Sequence, residues 1–284
     1  MSLAIRHAGP PKARHVLPGF GLTLGATLLY LTVIVLLPLA ALLLKSAEIG
    51  PARFLQLVSS PRALASFQLT LGAAALATAF NAVYGLLMAW ILVRYEFPGR
   101  RLLDALMDIP FALPTAVAGI ALTALYAKNG WFGSVLEPAG IKVVYTITGV
   151  AIAMAFTSAP FVVRTLQPVL EDLAPEAEEA ARTLGAYPFT IFRKVILPAI
   201  MPAYLTGCML AFARSLGEFG AIIFIAGNLP MKTEIAALLI FIRLEEFDYP
   251  AAAAIATVIL LTAFVMLLLA NLLQAWQMRA LKKT

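Results

Sequence analysis

Two groups of side chains in this sequence could do chemistry. Arg214 and Glu218 stand four residues apart at the end of an uncharged run, the spacing at which a guanidinium and a carboxylate meet on one helix face. Ionisable groups in apolar surroundings are functional suspects, and two roles are open here: a self-neutralising structural pair, or an arginine that attracts and passes an anion. Ser215 beside them either donates to an anion's oxygen or bonds its own helix. The second group is acidic: Glu171, Asp172, Glu176, Glu178 and Glu179 precede Arg182, Arg193 and Lys194. Acids followed by bases suit a short helix with its positive end first.

Other chemistries lack their residues. No Gly-x-x-x-x-Gly-Lys-[Ser/Thr] run is present to cradle the phosphates of a nucleotide, so this chain binds no ATP in that way and no cofactor is expected on it. The two histidines, His7 and His15, lie in the N-terminal tail without a paired-ligand spacing. Cys208 is the sole cysteine, so no disulfide can form within the chain. Asp104 and Asp108 are four apart, yet no second acidic cluster faces them; a favourable charge at a helix N-terminus is the plainer reading than a metal site. An intramembrane hydrolase or metal-dependent transferase is therefore disfavoured.

The elements that position these groups are membrane helices. The chain has 284 residues, of which 62% are apolar and 13% charged, against about 45–50% and 25% in soluble domains. Its apolar residues gather into long uncharged runs, too long for strands of a membrane barrel and apolar on every face. The expected fold class is an all-α membrane protein with six transmembrane helices at about residues 17–44, 66–93, 106–127, 143–164, 195–217 and 249–277. The first run is too long for the apolar core of a secretory signal and is read as an uncleaved span. Pro110 and Pro114 interrupt the third span, with Thr115 and Gly119 following. Such breaks either line a route or merely kink a helix. Asn81, Thr157 and Ser158 are expected to bond between helices. Ala236–Ile242 is too short to cross and reads as re-entrant or interfacial.

Lysine and arginine set the orientation. With both termini cytoplasmic, the inner segments (Arg6, Arg94, Arg100, Arg101, Arg193 and Lys194 among others) hold nearly twice as many basic residues as the outer ones. The net charge of +6 is scattered between spans without interleaved aromatics, which argues against a nucleic-acid partner. Lipid is the surrounding partner.

Between the fourth and fifth spans the charged segment reads as a helix–turn–helix. Pro175 suits the first helical position, Gly185 suits the left-handed residue after the last turn, and a second helix begins at Pro188. Ala177, Ala181 and Leu184 form one apolar face. Three glutamates are unfavourable at an anionic membrane surface, which tilts the reading from a headgroup-bound loop toward a docking element for a basic protein partner.

That segment resembles the EAA loop of the permease subunits of binding-protein-dependent ABC importers: Glu179-Ala180-Ala181, three residues, Gly185, nine residues, then Val195-Ile196-Leu197-Pro198. Val195 departs from the usual isoleucine. Asp108–Gly119, Arg214–Gly220 and Arg243–Pro250 further resemble the T-type permease subunits of sulfate/thiosulfate importers, over about residues 16–277. The resemblance implies the type I permease fold, with a tail, first span and outer loop in residues 1–60, a permease domain in 61–278 carrying the EAA loop at about 171–198, and a cytoplasmic tail in 279–284. It implies an inner-membrane complex with two ATP-binding cassette subunits that use ATP and Mg, a second homologous permease subunit forming a heterodimer, and an external sulfate/thiosulfate-binding protein. Glu178, Glu179, Ala180, Ala181, Leu184, Gly185, Leu197 and Pro198 would couple to the ATPase. Arg214, Ser215, Glu218, Pro110, Pro114 and Thr115 are the candidates for the translocation route. Molybdate or tungstate is the alternative cargo, and the alternative classes are an ion-coupled carrier, against which the ordered EAA loop speaks, or an intramembrane enzyme.

Overall fold

In a computed structural model, residues 20–281 are described, and every regular element among them is helical. Residues 17–19 of the first expected span, the basic tail with Arg6, His7 and His15, and Lys282 and Lys283 lie outside the described residues. The helices are α1 (Phe20–Glu48), α2 (Pro51–Val58), α3 (Pro61–Arg94), α4 (Arg100–Met107), α5 (Ile109–Ala112), α6 (Thr115–Tyr126), α7 (Gly133–Leu136), α8 (Ile147–Glu171), α9 (Glu176–Thr183), α10 (Pro188–Leu216), α11 (Gly220–Ile225), α12 (Ala236–Glu245) and α13 (Tyr249–Leu281).

Five of these, α1, α3, α8, α10 and α13, are long and apolar enough to cross a membrane. The third expected span, 106–127, is not a continuous helix. Pro114 disfavours helical geometry in the residue before it, and Leu113 is extended (ψ 135°), so α5 stops and α6 starts afresh. Pro110 sits in the first turn of α5, where its missing N–H does no harm. At 12 residues, α6 is about 18 Å long against a hydrocarbon layer of about 30 Å. The fifth expected span, 195–217, starts earlier, at Pro188, and α10 ends at Leu216.

Two of the prolines inside the long helices, Pro38 and Pro198, follow widened turns. Leu31–Leu36 before Pro38 and Phe192–Ile196 before Pro198 are π-helical, and the N–H of Leu37 and of Leu197 each bond five residues back, to Thr32 and Phe192. The wider turn accommodates the proline ring and its missing donor without ending the helix.

The core is the packing of α3, α8 and α10. A stripe of small residues on α3 (Ala73, Ala74, Ala77, Asn81, Gly85, Ala89) is buried, which lets α8 approach closely. A Cβ on Gly85 would stand 2.6 Å from Val162 of α8. Helix α8 is itself buried along its length, from Val150 through Ser158 to Leu170. By contrast α1 buries little besides Ser46 and exposes leucines as a lipid-facing helix does. The apolar segment beginning at Ala236 forms α12, which is tucked against Ala63 of α3 and Ile255 of α13; the hydroxyl of Thr70 accepts from its Ala236 N–H.

Candidate coupling surface and polar interior

The helix–turn–helix forms at one end of the bundle. Helix α9 starts at Glu176, one residue later than expected, with Pro175 as its N-cap residue. It closes with paired bonds: Gly185 N–H to the Arg182 carbonyl and Ala186 N–H to the Ala181 carbonyl, with Gly185 at φ +78°. This is the Schellman ending, and the left-handed residue it needs explains the glycine. The chain then extends at Tyr187 and Pro188 opens α10.

The two sides of α9 differ. Glu178 turns inward, 7% exposed, and receives a 2.6 Å bond from Arg94 Nη2 at the end of α3. Ala181 is half-buried in the same cluster as Leu170, Ile191 and Ile196. Glu179, Ala180, Leu184 and Gly185 face outward, joined by Tyr187 and Phe189. The expected apolar face of Ala177, Ala181 and Leu184 is therefore split: Leu184 lies past the last helical residue and points away from Ala181's side, while Ala177 is exposed. Leu197 is half-buried at the joint between the π turn and the rest of α10, and Pro198 beside it is exposed.

A polar seam stitches the core. The Asn81 amide of α3 donates to the Ala155 carbonyl (3.0 Å) and Ser158 Oγ (2.8 Å) of α8, and Ser215 Oγ of α10 lies 3.2 Å from Ser158 Oγ. Asn81 and Ser158 thus bond between helices as expected, whereas Thr157 bonds its own helix at Met154. Ser215 is fully buried and also donates to the Ala211 carbonyl, so its hydroxyl is committed to the seam.

Arg214 and Glu218 do meet, at 2.8 Å, although α10 has ended at Leu216. Glu218 is 1% exposed, and its other oxygen accepts from the Ala221 N–H at the start of α11. About a third of the Arg214 side chain remains exposed (32%). Helix α11 runs along α6: a Cβ on Gly220 would meet Thr115 Oγ1, and one on Gly119 would meet the Ala221 backbone. The structure thus places Thr115 against the start of α11, near the Arg214–Glu218 pair. Pro114 stands exposed at the break and Pro110 is half-buried.

Of Asp104 and Asp108, only Asp108 stands at a helix N-terminus, and its side chain is committed elsewhere. Asp108 precedes α5 without capping it, and Asp104 lies within α4. Both grip Arg164 of α8: Asp108 takes Nε and Nη2 (2.8 and 2.6 Å), Asp104 takes Nη1 (2.6 Å) and, through its carbonyl, Nη2 (2.9 Å), and Gln167 accepts from Nη1. Burial pushes the Asp104 carboxyl up, but the Gln167 amide and the Arg164 guanidinium outweigh it and hold the group below its ordinary value. The signal was legible: an arginine late in an apolar run opposite two acids at helical spacing. A second unforeseen pair, Arg62 and Glu234, joins α3 to the segment before α12 by two parallel bonds of 2.8 and 2.7 Å.

The described residues form a bundle of apolar helices with a segment broken at Leu113–Pro114 and an outward-facing helical hook at one end, an architecture suited to a membrane permease. Residues 81–283 match the family described as binding-protein-dependent transport system inner membrane component, and the chain belongs to that family. The chain is 58% identical over 264 residues to the sulfate transport system permease protein CysT of Salmonella typhimurium, covering 93% of this chain and 95% of that protein. It is 49% identical over 253 residues to the protein of the same name from Synechocystis, covering 89% and 88%. Among solved structures, a bacterial ABC transporter involved in the import of the acidic polysaccharide alginate superposes with a TM-score of 0.74 over 90% of this chain and 94% of that one, at 17% identity, a likeness of fold.

Proposed function

We propose that this chain forms the membrane route for sulfate in an ATP-driven importer, and that residues 171–198 are where separate ATPase subunits grip it. The proposal is carried by one observation above the rest: Glu179, Ala180, Leu184 and Gly185 project from a rigidly capped turn whose other side, Glu178 and Ala181, is fixed to the bundle. A partner pressing on that turn moves α3, α8 and α10 rather than a loose loop. The high identity to CysT proteins over nearly the whole chain supports sulfate as cargo.

The physical need is plain. An isolated charge faces tens of kcal/mol on entering hydrocarbon, so a dianion requires a lined passage that opens to one side at a time. ATP and Mg belong to the partner ATPases, and an external binding protein hands over the cargo. A second, homologous permease subunit completes the passage around the exposed break at Pro114 and the half-exposed Arg214. The end of the bundle bearing α9 and both termini face the cytoplasm. Ser215 and Glu218 hold Arg214's surroundings and do not themselves meet the anion.

The test is sulfate uptake into proteoliposomes holding the whole complex. Uptake should require ATP, and Gly185→Asp, which puts a side chain into a left-handed position and a charge on the docking turn, should abolish it while the complex still purifies. Uptake by this chain without an ATPase, or normal uptake by Gly185→Asp, overturns the proposal.

A further inference from the structure

We infer that Arg94 is a positioning residue that makes α3 the receiver of motion from the docking turn. The inference rests on the function just proposed and goes beyond the outward-facing residues of the EAA pattern. Arg94 is the last residue of α3 and bonds Glu178 of α9 at 2.6 Å, with side-chain exposures of 24% and 9%. Its guanidinium carbon also lies 5.3 Å from the ring centroid of Trp90, one helical turn earlier. Trp90 in turn meets Phe192 of α10 edge to face at 5.5 Å. The end of α3 is therefore tied to both arms of the helix–turn–helix, by an ion pair to α9 and by an aromatic contact to the π turn of α10.

The geometry suits transmission. A short, largely buried, charge-assisted bond between an arginine and a glutamate fixes the relative geometry of the two helix ends. Motion delivered to α3 has a continuous path into α8: Asn81 bonds Ala155 and Ser158 of α8, and Gly85 allows the two backbones into close contact at Val162. Glu178 thus works inward while its neighbour Glu179 faces outward, two adjacent glutamates with opposite duties.

The experiment is a charge-exchange set in the purified complex, reading sulfate imported and ATP hydrolysed side by side. Arg94→Glu and Glu178→Arg should each lower sulfate imported per ATP by at least tenfold, and the double exchange should recover most of it. Single variants with the wild-type ratio, or a double exchange that assembles without recovery, overturn the inference. Should a reversal fail to assemble, Arg94→Gln with Glu178→Gln carries the test, since it buries no unpaired charge; it should assemble and lower the ratio severalfold, and an unchanged ratio overturns the inference. If the wild-type complex imports no sulfate with ATP, the proposed function has failed instead, and the variants are then read by their ATPase response to the binding protein: a wild-type response overturns the role of Arg94, and a lost response that the double exchange restores supports it.

Discussion

Gly119 lies so close to Ala221 that a Cβ placed on the glycine would stand 2.4 Å from the Ala221 carbonyl oxygen and 2.7 Å from its Cα. The atoms met are backbone, which has no rotamer to yield, so α6 and α11 can touch only while residue 119 has no side chain. Gly119→Ala should destabilise the chain by about 1–3 kcal/mol, the usual range for overpacking. A thermal-unfolding series in detergent checks this: a melting temperature equal to wild type would mean that the two short helices separate freely.

The Arg164 cluster predicts a pH effect. Asp104 is held below its ordinary value in the folded chain, so it contributes stability that is present above its unfolded value, about 4, and is lost as pH falls through the lower, folded value. The wild-type melting temperature should therefore drop as a titration passes below about pH 4. Arg164→Gln should show a lower melting temperature at neutral pH and a shallower acid-side slope, because one of the groups that hold Asp104 down, beside the Gln167 amide, is gone. Parallel slopes would show that Arg164 does not set this titration.

The pair at the other end of the bundle, Arg62 and Glu234, is bidentate, with the glutamate 1% exposed at its side chain. Arg62→Ala leaves a buried carboxylate without its partner, a loss of about 3–5 kcal/mol in comparable sites. Arg62→Met with Glu234→Met should be far milder, near neutral. Unfolding midpoints of the two variants decide the matter: equal losses would mean that the two methionines pack too poorly to replace the pair.

Much of this was legible in the sequence, for physical reasons that also mark where legibility ends. Long uncharged runs reveal α1, α3, α8, α10 and α13, because a membrane helix must be apolar all round. Gly185 announces the end of α9, because a residue free of Cβ takes the left-handed turn at the least cost. The third run misled: hydropathy counts apolar residues and is blind to Leu113, whose extended backbone is imposed by the next residue. The sides of α9 misled too, since a glutamate on a loop reads as solvated until an arginine 84 positions earlier in the chain is brought to it. Pairings such as Arg62–Glu234, 172 residues apart, are properties of the packing and leave no local trace.

Arg214 poses a problem of inference that its geometry resolves. Arg214→Gln alone strands Glu218, a carboxylate 1% exposed, and should destabilise the chain by about 3–5 kcal/mol whatever the role of the arginine. Lost transport in that variant says nothing about an anion. Arg214→Gln with Glu218→Gln removes both charges, and the glutamine carbonyl can still accept from the Ala221 N–H that caps α11. The double variant should therefore assemble and melt near wild type. If Arg214 passes the anion, sulfate uptake in this double variant should fall at least tenfold while ATP hydrolysis persists; uptake within twofold of wild type would reduce Arg214 to the counter-ion of Glu218 and remove it from the route.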